Sequence, residues 1–206
     1  MTSYLIQLLI GIPAVLLCLS VHEACHGYAA YALGDPTAKN AGRLTLDPLK
    51  HLDPIGALCL LLFHLGWAKP VPVNTRYFKK PKRDMALVAL AGPLSNFVLA
   101  LIALFLRQIF VNGTSSIMFA LMLFCHTIAT MSIGLGVFNL IPVPPLDGSK
   151  ILFSFLPPRI EWKYKQYEQY IQFGLLALLL IGVLDTPINA AINAVYHVLY
   201  SIVLLV

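Results

Sequence analysis

The sequence predicts an all-α polytopic membrane protein, with about five full transmembrane helices, short re-entrant or interfacial helices and a small membrane-associated β element. Three observations carry that prediction. Hydrophobic residues make up 59% of the chain and charged residues 11%, with a mean hydropathy of +0.80, more apolar surface than a soluble core of 206 residues absorbs. Apolar runs near the roughly 20 residues needed to cross a bilayer recur along the chain. The basic residues gather in the connections between those runs, where they orient membrane proteins. The net charge of +5 therefore points to a lipid bilayer as partner and not to nucleic acid.

The first apolar segment covers residues 4–33, is interrupted by Gly11 and Pro13, and ends at Gly34-Asp35-Pro36. It outlasts the apolar region of a signal peptide, so it is expected to be a retained span. Residues 34–53 are mixed, and Arg43–Asp47 alternates with a period of two, the pattern of a short strand. Residues 54–66 are apolar but too short to cross, which predicts a re-entrant or interfacial helix. In Pro70–Asn74 each proline drives the residue before it into extended conformation, so a second short strand is expected to pair with the first.

The second full span is expected over about 85–110, with Gly92-Pro93 and Asn96 inside it. The third, over about 117–140, runs into the proline-rich turn Pro142-Val-Pro144-Pro145-Leu-Asp147-Gly148, which halts the helix. A short apolar piece follows at 149–156, then a polar and aromatic stretch at 157–170. Segments 171–184 and 188–206 complete the expected five, separated by Asp185-Thr186-Pro187. Cys18, Cys25, Cys59 and Cys125 form no C-x-x-C pair and sit in apolar stretches, as small buried side chains do. No repeat or domain linker divides the chain.

Charge sets the expected topology. Nine of the fourteen basic residues lie in the 34–84 connection, four in 141–170, and none in 111–116 or 185–187. Five crossings then leave the N-terminus outside and place both basic connections and the C-terminus in the cytoplasm. His22 falls about 27 Å along the first helix from residue 4, toward the cytoplasmic half, at about 1.5 Å per residue.

That position matters because residues 22–26 read His22-Glu23-Ala24-Cys25-His26. On a helix, i and i+4 share one face, so His22 and His26 can grip one metal ion while Glu23 projects beside it. The pattern fits zinc: two neutral imidazoles and a third protein ligand hold the ion, water takes the open position, and the glutamate removes that water's proton. Titratable residues inside an apolar span are costly and mark function.

A third ligand is required. Asp35, Asp47, Asp53 and Asp84 lie in or beside solvated connections and read as caps, and Glu161 and Glu168 flank a Lys/Tyr-rich solvated face. His51, His64, His126 and His197 lack a second ligand-type residue at helical spacing and read as packed histidines. Asp147 stands apart, held between a rigid Pro-x-Pro-Pro segment and a glycine that admits close backbone approach.

His22-Glu23-x-x-His26 in a first hydrophobic segment, with Asn139-x-x-Pro142-x-Pro144-x-x-Asp147-Gly148 after a later one, resembles the site-2 protease family of intramembrane zinc metalloproteases. Gly92-Pro93-x-x-Asn96 and Lys69-Pro70-Val71-Pro72-Val73-Asn74 resemble family elements too. The resemblance covers about residues 4–156. It implies one integral membrane protease domain over 1–206, with a catalytic core of about 4–156 and two additional helices over about 168–206. It implies one Zn2+ per chain on His22, His26 and Asp147, with Glu23 as general base. Asn139 is implied to support the oxyanion or the substrate backbone, a helix C-terminal cap being the competing role. Asn96 is implied to contact substrate or pack against a neighbouring helix. Many relatives carry PDZ or CBS modules; a compact form with neither is expected here.

The expected activity is cleavage of a peptide bond in or near a transmembrane protein substrate's span, in a prokaryotic cytoplasmic membrane with the active-site side cytoplasmic. A membrane metal transporter or sensor, and an intramembrane zinc hydrolase acting on lipid, are the competing readings, and a protease with Glu161 or Glu168 as third ligand is a nearer rival.

Overall fold

A computed structural model of the chain describes residues 2–53, 56 and 69–205. The helix expected over 54–66 lies outside the described residues, residue 56 excepted. Among the described residues eight α-helices follow in order: α1 (Thr2–Ala32), α2 (Thr37–Asn40), α3 (Pro81–Phe110), α4 (Ser116–Asn139), α5 (Asp147–Phe155), α6 (Pro158–Gln166), α7 (Glu168–Leu180) and α8 (Asp185–Leu204). Local chemistry sets several boundaries. Pro81 opens α3, where its missing N–H costs nothing. The Ser115 hydroxyl caps α4 by accepting from Met118 N.

Among the described residues four helical segments are long and apolar enough to cross a membrane: Leu8–Ala32, Pro81–Phe110, Ser116–Asn139 and Asp185–Leu204. The fifth expected span is the 13-residue α7, which at about 1.5 Å per residue reaches about 20 Å and falls short of a hydrocarbon layer of about 30 Å.

Helix α3 is the hub, packed against α1, α4, α5 and α8. It buries Ala89, Gly92, Asn96, Ala100 and Ala103, and turns Leu94, Val98, Ile102, Leu106 and Ile109 outward. Small residues inside and large ones outside is membrane packing: lipid solvates leucine as well as a neighbouring helix does, so close backbone approach decides which face turns in. Gly136 of α4 serves the same end, because a Cβ there would meet the Phe97 ring at 2.6 Å. The main cluster joins Ala14 and Cys18 of α1, Leu104 of α3, Ile128 and Ala129 of α4 and Val203 of α8. Inside it Cys18 Sγ lies 3.1 Å from Ser132 Oγ, so the buried polar atoms pair with each other.

The direction of α8 revises the expected topology. Ile192 lies beside Gly134, Tyr196 beside His126, and the Arg107 guanidinium sits 5.9 Å from the Tyr200 ring. Gly134 is nearer the end of α4 than His126 is, so α8 runs antiparallel to α4, and Val203 in its last turn joins the cluster that contains Ala14 and Cys18 of α1. Among the described residues the four membrane-length helices alternate in direction, so the start of α1 and the end of α8 lie at the same end of the helix bundle, whereas five spans had been expected to separate them.

No strand forms among the described residues. The two stretches expected to pair, Arg43–Asp47 and Pro70–Asn74, associate instead through a side chain. Arg43 Nη2 donates to Lys69 O at 2.5 Å and Pro70 O at 3.2 Å, and Lys69 N donates to His51 O at 2.8 Å. Pro70 and Pro72 remove alternate donors that a sheet ladder would need. The far end of this strap is held by Asp35, which is fully buried and accepts from Asn74 N at 2.7 Å, Thr37 N at 2.9 Å and the Thr37 hydroxyl.

Burial acts to raise the Asp35 carboxyl, but the hydrogen bonds from Thr37 and Asn74 outweigh it and hold the group below its ordinary value. Asp35→Ala leaves Asn74 N–H and Thr37 N–H without their acceptor and is expected to cost about 1–3 kcal/mol, read by thermal unfolding in detergent. Because the folded-state pKa is depressed, the wild-type advantage is complete above the unfolded value of about 3.9 and disappears as pH falls through the lower folded value.

Candidate metal centre

Helix α1 carries His22 and His26 one turn apart on the face buried against α3, and their Nε2 atoms lie 3.0 Å from each other. Asp147 Oδ2 closes the triangle at 3.1 Å from His22 Nε2 and 2.9 Å from His26 Nε2. The residue arrives there because α4 stops at Asn139, the proline-rich turn reverses the chain, and α5 starts at Asp147 itself. Gly148 makes that turn possible: a Cβ there would meet the carbonyl oxygens of Leu140 and Ile141 and come within 2.6 Å of Leu140 C.

Each member of the triangle has an outer partner. His26 Nδ1–H donates to Val88 O at 2.7 Å, which leaves Nε2 bare toward the centre. The Asn96 amide lies 3.0 Å from His22 Nδ1. Lys150 Nζ holds the other Asp147 oxygen at 2.9 Å. Burial alone would raise the Asp147 carboxyl, yet hydrogen bonding with His22 and His26 and the charges of His26 and Lys150 keep it well below the usual carboxylate range. Glu23 stands beside the triangle, its Oε2 accepting from Val71 N at 2.9 Å.

The donor set fits a zinc ion. Three groups able to present lone pairs, two imidazole nitrogens and one carboxylate oxygen, converge with their ligand atoms within 4.8 Å of one another. Tetrahedral sites with N and O ligands at about 2.0–2.1 Å have ligand–ligand edges of about 3.3 Å, close to the 2.9–3.1 Å seen here. Gly92 of α3 lies against the same spot, and a Cβ on it would meet His26 Nε2 and come within 2.7 Å of His22 Cε1. A cavity of about 130 Å³ opens onto the triangle, lined among others by Glu23, Val71, Val73, Asn139 and Lys150. A larger one of about 460 Å³ borders it through Met85, Pro145 and Lys150 and carries Lys82, Glu161 and Lys165 on its wall.

His22, Glu23, His26 and Asp147 are thus brought together across 125 residues of sequence. Glu161 is elsewhere: it bridges Lys165 at 2.8 Å and Lys82 at 2.7 Å, contacts that depress its carboxyl, in that order of strength. Glu168 accepts from Gln172. Neither joins the centre. His51 is buried with Nε2 on Thr45 O, and His126 and His197 pack against Tyr196. Asn139 reaches the cavity, but its Nδ2 donates to Leu135 O at 3.0 Å in the last turn of α4. Asn96, expected to touch substrate or a neighbouring helix, is fully buried and turned onto α1, outside the cavity lining, which leaves the helix contact. Reading the sequence passed over Val71, Val88 and Lys150 as site residues. Lys150 alone carried a legible signal, its i+3 spacing from Asp147; the other two act through backbone atoms.

Comparison with known proteins agrees with this chemistry. The model of peptidase family M50 matches residues 109–182. YwhC of Bacillus subtilis (strain 168), whose name describes a zinc metalloprotease, is 40% identical over 180 residues, 85% of this chain and 80% of its own length. Rip2 of Mycolicibacterium smegmatis, similarly named, is 30% identical over 185 residues, 87% of this chain and 69% of its own. A zinc metalloprotease of Methanocaldococcus jannaschii is 29% identical over 84% of this chain and 43% of its own. No solved structure matches.

Gly92→Ala tests the cradle. The added methyl drives the two imidazoles off their common point, and at least a tenfold loss of metal retention is expected from disturbing how the ligands are held, measured by metal analysis of the purified protein after dialysis against a chelator.

Proposed function

The chain belongs to peptidase family M50, the site-2 protease family of zinc metalloproteases, and on that footing we propose that it cuts a peptide bond in or near the transmembrane segment of a membrane-protein substrate. The observation that carries the proposal is the His22–His26–Asp147 triangle with Glu23 beside it, on helices apolar enough to span a bilayer. In this reading His22, His26 and Asp147 hold the zinc. The bound ion supplies a Lewis acid for the scissile carbonyl and a water acidified enough to be deprotonated near neutral pH.

Glu23 takes the proton of that water and returns it to the departing amine. Its hydrogen bond from Val71 N–H keeps the carboxylate oriented over the cavity. Asn139 turns one amide hydrogen to Leu135 O and keeps its second N–H for the oxyanion or the substrate backbone. The extended main chain of Pro70–Val73 along the cavity offers an edge on which an unwound substrate segment can lie as an added strand, supplying the small β element in the complex. A helical substrate hides its amides in its own hydrogen bonds, so the cut site lies where the helix is easily unwound. The larger neighbouring cavity, walled by Lys82, Glu161 and Lys165, is the route by which water arrives from the basic side.

The whole chain is one integral membrane protease domain, its catalytic core spanning about 4–156. The excess of basic residues in the connections supports an active-site side in the cytoplasm of a prokaryotic cell, and in this reading, with α8 antiparallel to α4, both chain ends lie outside. Thiol labelling of cysteines introduced at Ser3 and Leu205 in intact cells is expected to reach both from outside; protection of the second alone would restore a fifth crossing.

Glu23→Gln, with bound zinc and cleavage of a membrane-embedded reporter both measured, tests the mechanism. Metal is expected to stay while cleavage falls by about 10²–10⁴; a lipid amide cleaved in place of the peptide would transfer the same chemistry to another substrate class. Asp147→Asn is expected to lose zinc as well as activity.

A further inference from the structure

We infer that Asn96 is a positioning residue that sets the tautomer of His22, its side-chain oxygen accepting the Nδ1–H so that Nε2 presents a lone pair to the zinc; this rests on His22 being a ligand. Asn96 is fully buried on α3, and its amide makes the hydrogen bond to His22 Nδ1, 3.0 Å away. His22 Nε2 points at the shared centre, 3.0 Å from His26 Nε2 and 3.1 Å from Asp147 Oδ2. A neutral imidazole carries one N–H. For Nε2 to bind metal, that hydrogen must sit on Nδ1, and it needs an acceptor.

Two orientations of the Asn96 amide, related by a half-turn, occupy the same space. In the one the structure holds, Nδ2 lies 3.0 Å from His22 Nδ1 and donates to it. That forces the ring hydrogen onto Nε2, against the metal position, and leaves Asn96 Oδ1 buried with no donor. In the other, Oδ1 takes the Nδ1–H, so the acceptor is satisfied and Nε2 is bare. The second orientation moves the NH2 to the far side of the amide and is the one that leaves His22 Nε2 free for the metal, which is the demand a zinc ligand must meet. His26 follows the same rule through a different atom, since Val88 O can only accept. The two histidines of one helix are thus locked in matching tautomers by α3, one through a backbone carbonyl and one through a side-chain amide.

The experiment compares the full-length protein with Asn96→Leu, Asn96→Asp and His22→Ala, in detergent or nanodiscs, by chelator competition for zinc and by thermal unfolding with and without the metal. Asn96→Leu is expected to weaken zinc binding about 10- to 100-fold, while the metal-free protein loses one buried hydrogen bond and unfolds at a lower temperature but still cooperatively. Asn96→Asp, which keeps an acceptor oxygen, is expected to restore the affinity. Ring-15N NMR of the metal-free wild type at alkaline pH is expected to show His22 with a pyridine-like Nε2 and a pyrrole-like Nδ1. A protonated Nε2, or zinc affinity in Asn96→Leu within about twofold of wild type while His22→Ala loses zinc, overturns the inference and leaves the ligand set intact. Undiminished zinc affinity in His22→Ala would instead remove the ligand reading beneath it. If Asn96→Leu fails to fold, the NMR measurement and the Asn96→Asp affinity still decide.

Discussion

Three polar side chains held at one point among apolar helices are the constraint on which the remainder of this structure depends. A lone imidazole or carboxylate in that setting is costly, because no water compensates for lost hydration. His22, His26 and Asp147 meet the cost by facing one another and by leaning on outer partners: the Asn96 amide, Val88 O and Lys150. Helix α3 supplies two of those three supports and also the glycine that leaves room for the rings. Its central place in the packing is thus a consequence of what the site needs and not only of its length.

The same economy governs the approach to the site. Glycines at 92 and 148 stand where a methyl group would collide with a histidine ring or a backbone carbonyl, so both are demanded by close approach. The strap from Lys69 to Asn74 is pinned by His51 O and Arg43 at one end, by Asp35 at the other, and by Glu23 in between. Its prolines leave it without a regular ladder, so side chains do the anchoring. A segment held at discrete points and extended beside a cavity is the geometry on which the proposed mode of substrate binding rests.

Much of this was legible in the residues. The spacing of His22 and His26, the glutamate between them, and Asp147 after a rigid turn with Gly148 behind it are local patterns, and local patterns survive in one dimension. Hydropathy likewise marked the long helices. The count of crossings was less secure: segment 171–184 is apolar, but its regular helix ends after 13 residues, and composition does not report where a helix stops. The expected strand pair failed for a related reason, because alternation in Arg43–Asp47 describes the side chains and says nothing about whether a partner offers donors. Asn96 was visible as a polar residue in a span, yet its partner lies 74 residues earlier, a distance no periodicity spans.

By itself, then, the chain determined its environment, its long helices and the chemical identity of the groups that converge, since these follow from residue type and short spacing. Tertiary structure alone decided the supports and the directions: the carbonyl of Val88 beneath His26, the amide of Val71 on Glu23, the antiparallel course of α8 and the pairing of Asn96 with His22. Each depends on which backbone atoms and which faces meet when helices pack, and a carbonyl or an amide N–H is common to almost every residue. A sequence names side chains; only folding selects which of its near-identical backbone groups a side chain will find.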